Sequence, residues 1–294
     1  MSNQFPAKCK IADVRDLDSL KQTITGNVVV NLAAVHRDDV RHKSEYQLTN
    51  VQGAENVALA CTTKGIKKII FTSTVAVYGF AKPGTDENGD IRPFNEYGKT
   101  KFDAEEKLRA WQISGDNHLL IVRPTVIFGE GNRGNVYNLL NQIALGKFVM
   151  IGPGTNKKSM AYIANVVAFL EYCIETNLAY GVFNYVDEPD LSMNKLVSKV
   201  NKSLTGRETV GPRVPYTLGL IIGYLADGLA IVTGRKLPIS SIRVQKFTTS
   251  TQFKSAKSQL ANFKAPFSLE QGILNTLQSE FITPDPNREI FYSE

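Results

Sequence analysis

Asn95-Glu96-Tyr97-Gly98-Lys99-Thr100-Lys101 runs into Phe102 to Arg109, a polar, helix-favouring stretch. On a single helix Tyr97 and Lys101 stand one turn apart on the same face, which brings an ammonium beside the path to a phenol. A free phenol titrates near about 10 and is a poor base at neutral pH; a fixed positive charge favours its phenolate. A Tyr-x-x-x-Lys pair alone is more often a solvated helix face than a catalytic one, so its neighbours carry the reading.

Upstream, Lys67-Lys68-Ile69-Ile70-Phe71-Thr72-Ser73-Thr74 reads as a buried strand that emerges into hydroxyls, followed by Val75-Ala76-Val77-Tyr78-Gly79. Downstream, His118-Leu119-Leu120-Ile121-Val122-Arg123-Pro124 is a second apolar strand. Open parallel sheets bind ligands off the carboxyl ends of such strands. The ordered set of hydroxyl-ended strand, Tyr-x-x-x-Lys helix and Arg-Pro strand resembles the extended short-chain dehydrogenase/reductases, the NAD-dependent sugar-nucleotide epimerase/dehydratase family. The likeness runs from about Lys8 to about Leu277.

The resemblance implies an α/β, Rossmann-like doubly wound parallel sheet with a smaller, mostly helical substrate lobe. It assigns residues 1–130 and 160–188 to the NAD-binding domain, and 131–159 and 189–294 to the lobe. It implies Thr74, Tyr97 and Lys101 as the catalytic set, Thr74 rather than Ser73 because it stands four residues before Tyr78. For the cofactor it implies Asp13 and Val14 at the adenine, Leu32, Ala33 and Ala34 along the pyrophosphate and ribose, and Asn50, Thr72, Tyr97, Lys101 and Pro124. For the substrate it implies Ser73 and Thr74, with Asn135 and Lys158 at the diphosphate. Asn165 stands where the family carries an Asp, and it is expected to cap the following helix equally well. NAD is the expected cofactor, with NADP as the alternative.

The remaining chain is read from its own pattern. Lys8 to Ala12 is a short strand candidate, Asp16 an N-cap for a helix from Leu17 to Ile24, and Val28 to Ala34 an apolar strand. A helix from Tyr46 to Lys64 sets Leu48, Val51, Ala54, Ala58 and Cys61 on one stripe, with Asn50 beside it and Gly65 as the stop. Asn135 opens a helix over 136–145, as N-cap, diphosphate contact or both. Val182 to Val186 is a further strand, and Ser268-Leu269-Glu270-Gln271 is a capping box. The strongly apolar Thr217 to Thr233 contains Asp227 and two interrupting glycines. It reads first as a buried lobe helix, and second as a helix in a membrane interface.

Composition narrows the classes. A chain of 294 residues, 43% hydrophobic, buries a large core. The net charge of +6 comes from scattered lysines without a basic run, which fits a nucleotide-sugar pyrophosphate as well as it fits nucleic acid, and no nucleic-acid partner is expected. Cys9, Cys61 and Cys173 lie far apart, and His36, His42 and His118 make no metal spacing. With no apolar signal core near Met1, a reduced, cytoplasmic, metal-free protein is expected, with a homodimer allowed.

Two departures from the family matter. No Gly-x-x-Gly-x-x-Gly occurs, and the chain starts at what resembles the third strand, so the first strands and the pyrophosphate cradle are expected to be missing. The 294 residues alone are then expected to bind NAD weakly. The 4,6-dehydratases carry Asp-Glu directly after the active-site Thr, whereas Val75 and Ala76 stand here. Elimination is thereby disfavoured. An NAD-dependent epimerase or oxidoreductase on a nucleotide-activated sugar, of the kind used in polysaccharide biosynthesis, is the leading expectation. The rivals are a cofactor-deficient binding or regulatory protein and a lipid or steroid alcohol dehydrogenase.

Overall fold

The computed structural model describes residues 9–37, 40, 42–234, 237, 240–256, 262–290 and 292. In chain order it contains α1 (Leu17–Thr23), β1 (Val28–Asn31), α2 (Ser44–Tyr46), a π-helical segment Gln47–Gln52 and α3 (Gly53–Lys64). Then come β2 (Lys68–Thr72), a 3-10 turn Val75–Tyr78, α4 (Glu96–Ile113), β3 (His118–Pro124), β4 (Val126–Phe128) and α5 (Asn135–Ala144). The second half holds β5 (Met150–Ile151), β6 (Met160–Tyr162), α6 (Ile163–Glu175), β7 (Tyr180–Tyr185), α7 (Met193–Thr205) and β8 (Arg213–Val214). It ends with α8 (Tyr216–Thr233), α9 (Ser241–Thr248) and α10 (Leu269–Leu277).

Strands β1, β2, β3 and β7 form a parallel sheet in that order, with Ile69 beside Leu119 and Leu120 beside Gly181. Because side chains alternate across a strand, Ile69, Phe71, Leu119 and Ile121 face one layer and Ile70, Leu120 and Val122 the other. The first set packs on Val57, Cys61, Ala104 and Leu108 of α3 and α4; the second packs on Val166, Phe169 and Cys173 of α6. This is an α/β, Rossmann-like sheet covered on both faces, which explains why its strands read as continuous apolar runs. A separate core unites Leu140 of α5, Val197 of α7 and Ile273 of α10 with Met150, Met160 and Tyr162.

Four expectations are corrected. Cys9 to Ala12 forms no strand, and Lys8 lies outside the described residues. Leu48 is exposed although Val51, Ala54, Ala58 and Cys61 are buried, because the wider π turn at Gln47–Gln52 rotates it off the stripe that α3 continues. Gly134, not Asn135, is the N-cap of α5. Asn165 does not cap α6: it is fully buried, donates to the Phe267 carbonyl at 2.8 Å and accepts from the Phe267 N–H at 3.0 Å. The acid near that helix start is Asp187, whose carboxylate accepts from the Tyr162 N–H at 2.7 Å.

Candidate active site

The site is assembled by the turn between β2 and α4. Leaving the sheet, Thr74 caps the 3-10 turn, its hydroxyl accepting from the Ala76 N–H at 3.1 Å. Asn95 caps α4 by accepting from the Gly98 N–H at 2.9 Å. Gly98 lets the two elements touch, since a Cβ there would stand 2.6 Å from the Ala76 carbonyl oxygen. The approach sets the Tyr97 phenol beside the Thr74 hydroxyl. Burial pushes the phenol up from its ordinary range, and the Thr74 hydroxyl draws it back down.

Lys101, one turn further on, is 1% exposed, with its Nζ 4.1 Å from the centre of the Phe71 ring. Burial pushes its ammonium down to about 7, against the opposing pull of the Glu105 carboxylate. The Tyr97 shift therefore comes from burial and Thr74 in this arrangement, while Lys101 is a desolvated amine next to it on the helix.

Beneath the site lies a buried polar chain that sequence reading missed. Ser73 donates to Glu105 at 2.5 Å, so its hydroxyl is committed inward. Arg123 holds the same carboxylate with Nε at 2.9 Å and a second nitrogen at 2.5 Å, and donates to the Tyr78 hydroxyl at 2.7 Å. Tyr78 passes the chain on to Asn184 at 2.8 Å. The only advance signal was Arg123 at the end of an apolar strand, because a buried guanidinium requires a carboxylate partner.

Asn50 fastens the site from the other side. Its amide donates to the Val35 carbonyl at 3.0 Å and to Thr100 Oγ1 at 2.9 Å, and its oxygen accepts from the Val35 N–H at 2.8 Å. It thereby ties the segment after β1 to α4. That segment includes exposed Leu32 and half-buried Ala33 and Ala34, and it brings the His36 ring edge-on to Tyr97 at 6.5 Å between centres. Pro124 is buried at the end of β3. Val14 packs on Gly53, where a Cβ would come within 2.8 Å of it, and exposed Asp13 is paired with Arg15 at 2.7 Å.

Toward the lobe, Lys158 donates from Nζ to the Lys246 carbonyl at 2.8 Å, and burial pushes its ammonium down to about 8. Lys246 in turn lies 5.8 Å from the Phe94 ring, which stacks on Phe80 at 4.7 Å. Asn135 is exposed on the first turn of α5. A cavity of about 820 Å³ lies elsewhere, between the C-terminal half of α4 and the edge of β7, lined by Arg109 and Tyr180. It holds neither Tyr97 nor Thr74, so the site rests on the chemistry of its groups rather than on that cavity.

The strand ends test the fit of a dinucleotide. The Thr72 hydroxyl oxygen is buried without a hydrogen-bond partner at the end of β2, close in sequence to Thr74. An unpartnered hydroxyl, a desolvated lysine amine and small residues after β1 suit the ribose and nicotinamide end of such a cofactor. Among the described residues no glycine-rich strand-to-helix turn stands beside β1 to hold the pyrophosphate. No group of three or more His, Cys, Asp or Glu that could hold a metal occurs among them.

Known proteins resemble this chain in sequence and in fold. The profile of the NAD dependent epimerase/dehydratase family matches residues 2–185. The N-acetyl-alpha-D-glucosaminyl-diphospho-ditrans,octacis-undecaprenol 4-epimerase of Escherichia coli O157:H7 is 50% identical over 297 residues, covering 100% of this chain and 89% of its own. The UDP-glucose 4-epimerase of Vibrio cholerae is 27% identical, over 80% of this chain and 69% of its own. Among solved structures, the Bordetella bronchiseptica enzyme WbmG in complex with NAD and UDP superposes with a TM-score of 0.70 at 18% identity, over 97% of this chain and 83% of that one.

Proposed function

The chain belongs to the NAD-dependent epimerase/dehydratase family, and from that premise we propose that it is a 4-epimerase whose substrate is a sugar diphosphate carried on a lipid. The observation that carries the chemistry is the close packing of the first turn of α4 on the turn after β2, which sets Tyr97 beside Thr74, with the Lys101 amine one turn along the same helix. Whole-length 50% identity to an epimerase of a lipid-diphosphate sugar supports the substrate class over a nucleotide sugar. Val75 and Ala76, where an elimination would need an acid and a base, support epimerisation over dehydration.

In this reading Tyr97, as phenolate, takes the proton of the C4 hydroxyl while the hydrogen on that carbon departs as hydride. Bound NAD supplies the acceptor for that hydride and its later return. Thr74 holds the reacting oxygen by hydrogen bond, first as alcohol and then as ketone. Lys101 holds the nicotinamide ribose and, once charged, favours the phenolate. With the cofactor bound, reduction at the ketone's opposite face would leave a C4 alkoxide, to which Tyr97 would give the proton back. Lys158 and Asn135 bind the diphosphate, whose charge draws the depressed Lys158 ammonium back to its protonated form.

The test is to incubate the purified chain with saturating NAD and either lipid-diphosphate N-acetylglucosamine or UDP-N-acetylglucosamine, and to follow inversion at C4 by nuclear magnetic resonance. Inversion of the lipid-linked sugar is expected. Turnover of the UDP-sugar with the lipid-linked one untouched would return the substrate to the nucleotide sugars.

A further inference from the structure

Helix α8 is the largest departure from what its sequence leads one to expect. Instead of filling the lobe it is exposed along most of its length, with only Gly219 and Gly223 buried. At about 100° per residue, Leu218, Ile222, Leu225, Leu229 and Val232 fall on one stripe, and all are exposed, Leu225 by 70% and Val232 by 84%. The opposite face is the one fastened to the protein. A Cβ at Gly219 would stand 2.7 Å from Ile151, one at Gly223 would stand 2.8 Å from Ser241, and Asp227 accepts from the Ser241 N–H at 3.1 Å.

A contiguous apolar stripe of this kind marks a surface that meets a partner. Charge indicates which partner. Between Ser192 and Thr249 the chain has nine lysines and arginines against only Glu208 and Asp227, a surplus of seven, whereas the whole chain carries +6. The basic excess therefore lies in the stretch of sequence that contains α8, and the rest of the chain is close to neutral. On α9, packed alongside, Ile242, Arg243 and Lys246 share one exposed face. An apolar stripe within a basic surround complements an anionic bilayer, whose headgroups attract the cations while its acyl region takes the leucines.

We propose that α8 lies in the plane of an anionic membrane surface, its Leu218-to-Val232 stripe immersed at the headgroup boundary and the basic groups around it on the phosphates. It does not span. By length and composition alone it could cross a membrane, but its Gly219, Gly223 and Asp227 face is sealed to the lobe. The surface rests on α8 and its surroundings alone. The proposed lipid-linked substrate gives it a use: α9 runs from its contact with Asp227 to Lys246, whose carbonyl meets Lys158 and whose ammonium lies over Phe94. A sugar diphosphate at Lys158 would have its lipid leading toward the bilayer.

The experiment is co-sedimentation of the whole chain, without substrate, with phosphatidylcholine vesicles that contain or lack phosphatidylglycerol. Binding is expected to the anionic vesicles only, weakened by salt, and reduced about tenfold or more by Leu225→Glu and by Leu229→Glu, exposed positions whose change leaves the core intact. As a second readout, a tryptophan placed by Leu225→Trp is expected to shift to shorter emission wavelength when anionic vesicles are added. A wild-type chain left in the supernatant, or an unshifted tryptophan, overturns the proposal. So does a self-associated chain that Leu225→Glu converts to monomer with no vesicle binding, which would make the face a contact between copies. Unchanged C4 inversion of a short-chain, water-soluble sugar diphosphate by Leu225→Glu separates a failure here from a failure of the epimerase reading.

Discussion

Tyr97→Phe removes one oxygen from the site and leaves the ring packed, so it isolates the proton transfer. Turnover is expected to fall by about 10²- to 10⁴-fold, the usual worth of a positioned base, with substrate affinity little changed; near-normal steady-state turnover would remove Tyr97 from its role. Lys158 makes a prediction in pH. Its folded-state ammonium sits near 8 instead of 10.5, so the charge that neutralises a diphosphate is present below about 8 and lost above it. KM for the sugar diphosphate should therefore rise as pH climbs from about 8 toward 10.5, with kcat steady, and Lys158→Met should show a raised and flat KM. Lys101 concerns stability. Its folded pKa is lowered to about 7, so the cost of burying the charge is fully present below that pH and disappears as the unfolded lysine also loses its proton near 10.5. Lys101→Met should accordingly melt at a higher temperature than wild type at neutral pH, with the gain shrinking toward pH 10.5, while losing activity. The Tyr97–Lys101 spacing was legible in the sequence because four residues make one helical turn. The Ser73–Glu105–Arg123–Tyr78–Asn184 chain was not, because its links join residues up to 106 positions apart.

Among the elements, α4 has to satisfy two neighbours at once. Its first turn meets the Val75–Tyr78 turn through Gly98, and its middle sends Glu105 under the sheet to Arg123. Gly98→Ala drives a methyl against the Ala76 carbonyl, and the helix must back away, carrying Tyr97 from Thr74. A stability loss of about 1–3 kcal/mol in urea titration is expected, with a larger proportional loss of turnover than of substrate affinity. Arg123→Met leaves Glu105 buried without its partner, a change worth about 3–5 kcal/mol; an unchanged urea midpoint would mean that the carboxylate takes up a proton and rests comfortably neutral. Strands β2 and β3 were readable because burial on both faces leaves an unbroken apolar run, and the caps at Asp16 and Ser268 were readable from residue type. Helix α8 misled for a related reason. A strongly apolar helix reads the same whether protein or lipid covers it, and the Gly219, Gly223 and Asp227 contacts reveal which side the protein takes.

Across the whole molecule, the sheet leaves the outer side of β1 without a strand neighbour among the described residues. This is the edge along which the resemblance places a first strand and its glycine-rich turn, and the sequence contains no Gly-x-x-Gly-x-x-Gly. A second copy pairing there would cover the unpaired backbone groups, but it would supply no backbone donors aimed at a pyrophosphate. In the proposed reading the Thr72 hydroxyl, Lys101 and the segment after β1 meet the ribose and nicotinamide half of the cofactor. Charge-assisted contacts to a pyrophosphate contribute about 1.5–3 kcal/mol each, so 294 residues tested without two or three of them should hold NAD more weakly by a factor on the order of hundreds or more. Calorimetric titration of the 294-residue chain with NAD is expected to show binding far weaker than micromolar. The same titration after fusing a strand, glycine-rich turn and helix ahead of Met1 should tighten it by that factor. Low-micromolar binding by the 294 residues alone would mean that the pyrophosphate is held by backbone N–H groups already present, and the first place to look would be the loop after β1, where Asn50 fixes Val35.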